Sequence, residues 1–264
     1  MTSKTGKLVF LLVFMFNTGV FAQESQTVTP VSPVSKLQPL RLVDCPTAGL
    51  LPRASFDFDI RVYPQGGVIF GLDIGLMKRF MVGMSFGGEN VIGEGDPDWN
   101  PRIEFAAKYR LINESWSLPA FVIGYDSQGD GAYDDSVDRY VYKSKGFYVV
   151  MSKGYAMGEV PIGFHAGANY SLENDDEDKD ISIFFGADLR LGDNLGLVGE
   201  YDLGANDDKA KELFGRGYGY LNVGIQWIFS ERLFLQFNLK NLLLNRKEAS
   251  TWGRGFRIVY FESF

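Results

Sequence analysis

Residues 56–62 read Phe56-Asp57-Phe58-Asp59-Ile60-Arg61-Val62, a strict alternation of large apolar and charged side chains. Successive side chains of a β-strand point to opposite faces. This stretch therefore has one greasy face, Phe56, Phe58, Ile60 and Val62, and one charged face, Asp57, Asp59 and Arg61. The pattern returns along the chain. Ile103, Phe105, Ala107 and Tyr109 oppose Arg102, Glu104, Lys108 and Arg110, and Ile181, Ile183, Phe185 and Leu189 oppose Asp188 and Arg190. Leu195, Leu197 and Tyr201 oppose Glu200 and Asp202, and Leu233, Leu235, Phe237 and Leu239 oppose Gln236, Asn238 and Lys240.

Working outward from these segments, strands are predicted at 54–63, 67–76, 79–87, 102–110, 116–126, 146–155, 160–171, 181–190, 194–203, 218–229, 232–240 and 252–261. Their number is even and their lengths lie near the ~9–11 residues of a tilted membrane-crossing strand. The connections alternate in length. Lys78, 111–115, 156–159, 191–193 and Ser230-Glu231 are short, while 88–101, 127–145, 172–180, 204–217 and 241–251 are longer. Only Pro64-Gln65-Gly66, on the long side, is brief. Outer-membrane barrels carry short periplasmic turns and longer external loops. A soluble sandwich has no reason to segregate its loops in this way.

The expected architecture is thus all-β, a transmembrane antiparallel up-and-down β-barrel of about 12 strands over residues 54–264, in a bacterial outer membrane. Lipid accepts only apolar faces, and every backbone group must pair around a closed ring, so the charges point inward. Trp116, Tyr125, Tyr148, Tyr155, Tyr170, Tyr201, Tyr218, Trp227, Trp252 and Tyr260 gather near strand ends, as interfacial aromatic girdles would require. The 31 glycines and 15% aromatic residues fit many short strands joined by tight turns.

Lys4 and Lys7 precede an apolar run from Leu8 to Phe16, and Val20-Phe21-Ala22 ends on a small residue, so residues 1–22 read as an export signal. The apolar run falls short of the ~20 residues a spanning helix needs. Residues 23–53 are expected as a periplasmic N-terminal tail, rich in Ser, Thr, Pro and Gln up to Leu40. Its last part, 40–52, is a lid, a plug or an inner-wall segment. Cys45 is the single cysteine and lacks a lipoprotein context, so a buried free thiol is expected rather than a disulfide.

The inward set balances Asp57, Asp59, Asp73, Glu104, Asp188, Glu200 and Asp202 against Arg61, Arg102, Lys108, Arg110, Arg190, Lys240 and Arg257. Such an interior can knit itself together through ion pairs, which points to a narrow or plugged lumen. An open small-solute channel is the functional rival. The net charge of −7 argues against a nucleic-acid partner.

Outside the strands, Glu173-Asn174-Asp175-Asp176-Glu177-Asp178-Lys179-Asp180 is the sharpest charge run. It lacks EF-hand spacing and glycine, so it reads as a solvated external loop rather than a calcium site. Asp126, Asp130, Asp134, Asp135 and Asp138 read alike. The 88–101 loop presents Trp99 between Pro97 and Pro101, either to a glycan or protein or against the barrel mouth and lipid headgroups. His165 is the single histidine. A hydrolase would pair it with Ser152 or Ser182 and an acid, but no nucleophile motif accompanies it.

The last strand, Arg254 to Phe264 with Gly255, Ile258, Tyr260 and a final Phe264, resembles the C-terminal insertion signal of outer-membrane barrels. Asp44-Cys45-Pro46-Thr47-Ala48-Gly49, Gly66-Gly67, Gly71-Leu72 and Gly83-Met84-Ser85-Phe86-Gly87-Gly88-Glu89-Asn90 resemble the opening of exopolysaccharide-associated YjbH-type barrels. That resemblance implies assistance to polysaccharide production or export, and brings no catalytic residues.

The expected function is a non-enzymatic structural or accessory protein that anchors or scaffolds an envelope or surface assembly. A passive small-solute channel or a polysaccharide-export accessory is the alternative. Expected partners are outer-membrane lipid and lipopolysaccharide, a protein of an envelope complex and a surface glycan. No cofactor, metal or catalytic residue is expected.

Overall fold

The computed structural model describes residues 38–208, 214–230 and 232–264. The expected export signal and the tail up to residue 37 lie outside the described residues. The described strands are β1 (Ser55–Tyr63), β2 (Gly67–Met77), β3 (Phe80–Glu89), β4 (Asp98–Trp99), β5 (Glu104–Ile112), β6 (Ala120–Asp126), β7 (Asp130–Asp134) and β8 (Arg139–Tyr142). They continue with β9 (Gly146–Met157), β10 (Val160–Tyr170), β11 (Ser182–Leu191), β12 (Leu195–Asp202), β13 (Tyr220–Ser230), β14 (Leu233–Lys240) and β15 (Gly253–Ser263).

Twelve of these form one closed antiparallel ring, in the order β1-β2-β3-β5-β6-β9-β10-β11-β12-β13-β14-β15 and back to β1. The closing seam sets Ser55 opposite Ser263 and Val62 opposite Phe256. β4 only adds a short pairing to the end of β3, and β7 and β8 make a separate hairpin within the 127–145 loop. The sequence reading made that loop a plain polar link. The strand expected at 116–126 begins only at Ala120. A turn precedes it, in which the Leu118 amide donates to Ser115 Oγ at 3.1 Å and the Ser115 amide to the Leu118 carbonyl at 2.9 Å, and Pro119 has no amide to give a ladder.

The expected faces are observed. Phe58, Phe105, Ile183, Ile225 and Phe237 stand exposed on the outside, while Asp57, Asp59, Glu104, Glu200, Lys240 and Arg257 are buried within the ring. Outer aromatic pairs such as Tyr125–Phe147 and Phe237–Phe256 pack at 5.0 and 4.7 Å between centroids. A ring without a free edge and with an apolar outer wall is stable in a bilayer and not in water. The protein is a transmembrane β-barrel.

The inner wall departs from simple polarity. Met81, Val122, Tyr148, Val150 and Phe184 are buried in a cluster with Cys45, Ala48, Leu50 and Leu51, and Val198 is buried with Leu42 and Val43. One sector of the bore is therefore apolar, and residues 38–52 cover it.

Candidate functional site

Residues 38–52 lie inside the ring as a hairpin. Arg41 and Pro46 form an antiparallel bridge, and Leu42 donates its amide to the Cys45 carbonyl at 2.9 Å to close the turn. Thr47 ties the two legs by donating its hydroxyl to the Pro39 carbonyl. The legs approach so closely at Gly49 that a Cβ there would lie 2.3 Å from the Pro39 oxygen. Only a residue without a side chain fits.

The tip, Val43-Asp44-Cys45, turns three successive amides onto one carboxylate. Glu200 Oε2 accepts from Val43, Asp44 and Cys45 at 2.9, 3.0 and 2.9 Å, and Oε1 accepts from Asp44 at 2.9 Å and from Asn222 Nδ2 at 2.8 Å. Successive amides converging in this manner form an anion-binding nest. No described cationic side chain forms an ion pair with Glu200, which is 2% exposed.

Charges on the hairpin meet opposite charges on the wall. Arg41 Nη2 lies 3.3 Å from Asp126, and Asp44 lies 2.8 Å from Lys240 Nζ. Lys240 also pairs with Asp130 of the external hairpin. Wall side chains serve the remaining backbone groups. Lys108 donates to Leu40 O at 2.5 Å, Arg110 to Ala48 O at 2.6 Å and Gln236 to Leu42 O at 3.0 Å. The Ala48 amide donates to Ser152 Oγ at 2.8 Å.

Ser152 belongs to the one constellation that the sequence raised for hydrolysis. His165 Nδ1 lies 2.7 Å from Ser152 Oγ, and His165 Nε2 lies 2.7 Å from Asp188 Oδ1, on adjacent strands β9, β10 and β11. Ser182, the other candidate, instead donates to Asp202 at 2.6 Å. In a hydrolase the serine faces Nε2 and its oxygen is open to substrate. Here it faces Nδ1, is buried and already holds the Ala48 amide, so the row anchors the hairpin.

Above the tip the external loops fold over the mouth. Arg139, fully buried, donates to Asp176 at 2.6 Å and Asp207 at 2.8 Å, and its guanidinium lies 4.0 Å from the centre of the Phe214 ring. Lys143 Nζ lies 2.7 Å from Asp176, with burial drawing its pKa down. The Ser144 amide donates to Glu173 Oε2 at 2.9 Å, and burial pushes the Glu173 carboxyl up to about 7. This corrects the solvated reading for part of the 173–180 run: Glu173 and Asp178 are buried and the Asp176 carboxylate is enclosed by Arg139 and Lys143, while Asp175, Glu177, Lys179 and Asp180 are exposed as expected. Among the described residues no group of acids is arranged to hold a metal ion.

Between tip and cap remains a cavity of about 50 Å³, bordered by Asp126, Lys145, Asp202, Tyr220 and Asn222, with room for a few waters. Trp99 stacks on Phe86 at 5.5 Å and 16° against the outer wall. Arg102, placed by the sequence in the inward set, lies before β5 at the rim, half-exposed and paired with Glu104 at 2.8 Å. The reading missed the hairpin's contact set and the inner apolar sector. Their signal is the lapse of alternation in Ala120-Phe121-Val122-Ile123 and Phe147-Tyr148-Val149-Val150-Met151, where both faces are apolar.

No family model matches the chain, and no curated protein does. Among solved structures it is similar to the KdgM porin, with 8% identity over 80% of this chain and 99% of that one and a TM-score of 0.45. It is also similar to the outer membrane protein Omp33 of Acinetobacter baumannii, with 9% identity over 80% and 97% and a TM-score of 0.46. The CymD monoaromatic hydrocarbon channel matches at 11% identity over 81% and 89%, with a TM-score of 0.35. No ligand or activity is carried over from them. The resemblance to YjbH-type barrels rests on the sequence pattern alone.

Proposed function

We propose that this chain is a channel for small hydrophilic solutes, held closed in this conformation by its own luminal hairpin. The observation that supports it is that the ring is complete without the hairpin. Every barrel strand finds both neighbours among the other strands, and the hairpin's main chain meets the wall through wall side chains. Each such hydrogen bond is exchangeable for one to water at a net ~0.5–1.5 kcal/mol. Withdrawal therefore leaves the barrel intact and opens a bore that is apolar in one sector and lined by charged and amide side chains over the rest. In this reading residues 1–22 are the export signal, 23–53 the periplasmic tail with its closing hairpin, and 54–264 the channel wall. Outer-membrane lipid and lipopolysaccharide surround it.

A second reading, a scaffold for an envelope assembly or a glycan-export accessory, is favoured by the apolar fit of Leu42, Leu50 and Leu51 to the inner wall, which suits a permanently filled bore. Planar-bilayer recording separates the two. Gly49→Val wedges the hairpin legs apart and is expected to raise open probability at least tenfold over the native chain. A disulfide between Ala48→Cys and Ser152→Cys, in a Cys45→Ser background, is expected to silence the channel until reduced. Silence of every variant, with the barrel folded by heat-modifiability on gels, would leave the scaffold.

A further inference from the structure

The contacts that hold the hairpin describe what the bore recognises. Its wall offers an acceptor for consecutive amides in Glu200 and a further one in Ser152, with donors for carbonyls in Lys108, Arg110 and Gln236. It also offers a carboxylate, Asp126, to a guanidinium and an ammonium, Lys240, to a carboxylate. These are the groups of a peptide: amide N–H and C=O in the middle, a cationic side chain, and an anionic end.

We infer that the solutes admitted by this channel are short peptides bearing a cationic side chain, and that the hairpin occupies their site as a built-in ligand. The inference rests on the channel reading above. Two features narrow the class. Glu200 is buried and accepts its hydrogen bonds from three backbone amides and the Asn222 side chain, so withdrawal of the tip removes its three backbone donors. Water meets the carboxylate in the opened bore, so a solute that displaces that water must return hydrogen-bond donors to it. Asp126 likewise loses Arg41, its ion-pair partner, when the hairpin leaves. A guanidinium, with five donors in a planar fork, matches such carboxylates better than a neutral sugar or an anion. Lys240 keeps Asp130 as a second partner, so its own demand is weaker.

The test uses the full-length chain with Gly49→Val, which opens the hairpin without altering the wall. Current carried by potassium chloride is recorded while Ala-Arg-Ala, Ala-Glu-Ala or glucose is added. Ala-Arg-Ala is expected to interrupt the current at concentrations at least tenfold below those needed for Ala-Glu-Ala or glucose. Glu200→Gln and, separately, Asp126→Asn should each erase most of that difference. Equal effects of the three solutes, in a channel that conducts, would overturn the peptide class and leave the channel standing. No current from Gly49→Val or from the native chain would overturn the channel reading, and the peptide class with it.

Discussion

The amide of Asp44 reaches both carboxylate oxygens of Glu200, at 2.9 and 3.0 Å, and so centres the hairpin tip on the wall of β12. Its neighbours Val43 and Cys45 complete the nest. The relationship is local in space and remote in sequence. It joins a turn ahead of the barrel to a residue on the ninth of the twelve ring strands.

Glu200→Gln should loosen the tip. An amide keeps one acceptor oxygen but turns an NH2 toward amides that are themselves donors. Leaving such buried groups unpaired costs about 1–3 kcal/mol, which raises the withdrawn population roughly 5- to 150-fold. Cys45 supplies the readout. It is the chain's single cysteine and is 1% exposed, so a maleimide reaches it only when the tip leaves. The labelling rate in detergent or liposomes should rise in that proportion for Glu200→Gln. An unchanged rate would mean that the nest does not hold the hairpin.

The ion pair of Asp44 with Lys240 is expected to couple less strongly than its 2.8 Å distance suggests, because Lys240 also pairs with Asp130. Asp44→Asn should therefore cost little, while Lys240→Met strands two acids and costs more. A double-mutant cycle read by Cys45 labelling should give a coupling of about 0.5–2 kcal/mol. Additive effects would show that the pair contributes nothing to closure.

The ring was legible in the sequence because its cause is local. Phe56 through Val62 alternate on their own, and the membrane demands that alternation of nearly every strand. The lid, plug or inner-wall role expected for 40–52 came without a seat, because nothing between Leu40 and Pro52 states which wall residues will receive it. Its trace was indirect: β6 and β9 are apolar on both faces, which a bilayer on one side and water on the other would not produce. The acidic run at 173–180 misled for a similar reason. Its partners Arg139 and Lys143 lie in another loop, and their approach depends on the folding of β7 and β8 over the mouth.

The outer wall offers a check of the membrane placement itself. Ile225 lies midway along β13, opposite Leu197 on one side and Phe237 on the other, and is 52% exposed on the apolar face. Ile225→Arg should destabilise the barrel in lipid by about 2–4 kcal/mol, the cost of such a charge near the bilayer midplane. Glu94→Arg, in an exposed external loop, should change stability by less than ~0.5 kcal/mol. Urea unfolding in liposomes measures both. Equal tolerance at the two positions would place Ile225 outside the hydrocarbon.

The external cap should respond to pH through Glu173. Burial raises its pKa from 4.5 to about 7, and its buried Oε1 accepts no hydrogen bond. A carboxyl with a raised folded-state pKa holds its proton in the cap after it would have been lost in the unfolded loop. By linkage the cap is then most stable below about 4.5 and weakens as pH rises to about 7, by on the order of 1–3 kcal/mol in all. Above that pH the weakening is complete. Glu173→Gln has no proton to lose and should flatten this dependence, with the larger gain over the native chain at pH 8. Amide hydrogen exchange in 139–145 and 173–178, corrected for the intrinsic pH effect, reads the cap without requiring the barrel to unfold. A native cap equally protected at pH 5 and pH 8 would show that Glu173 is ionised in place, its charge satisfied by the Ser144 amide and the nearby Arg139.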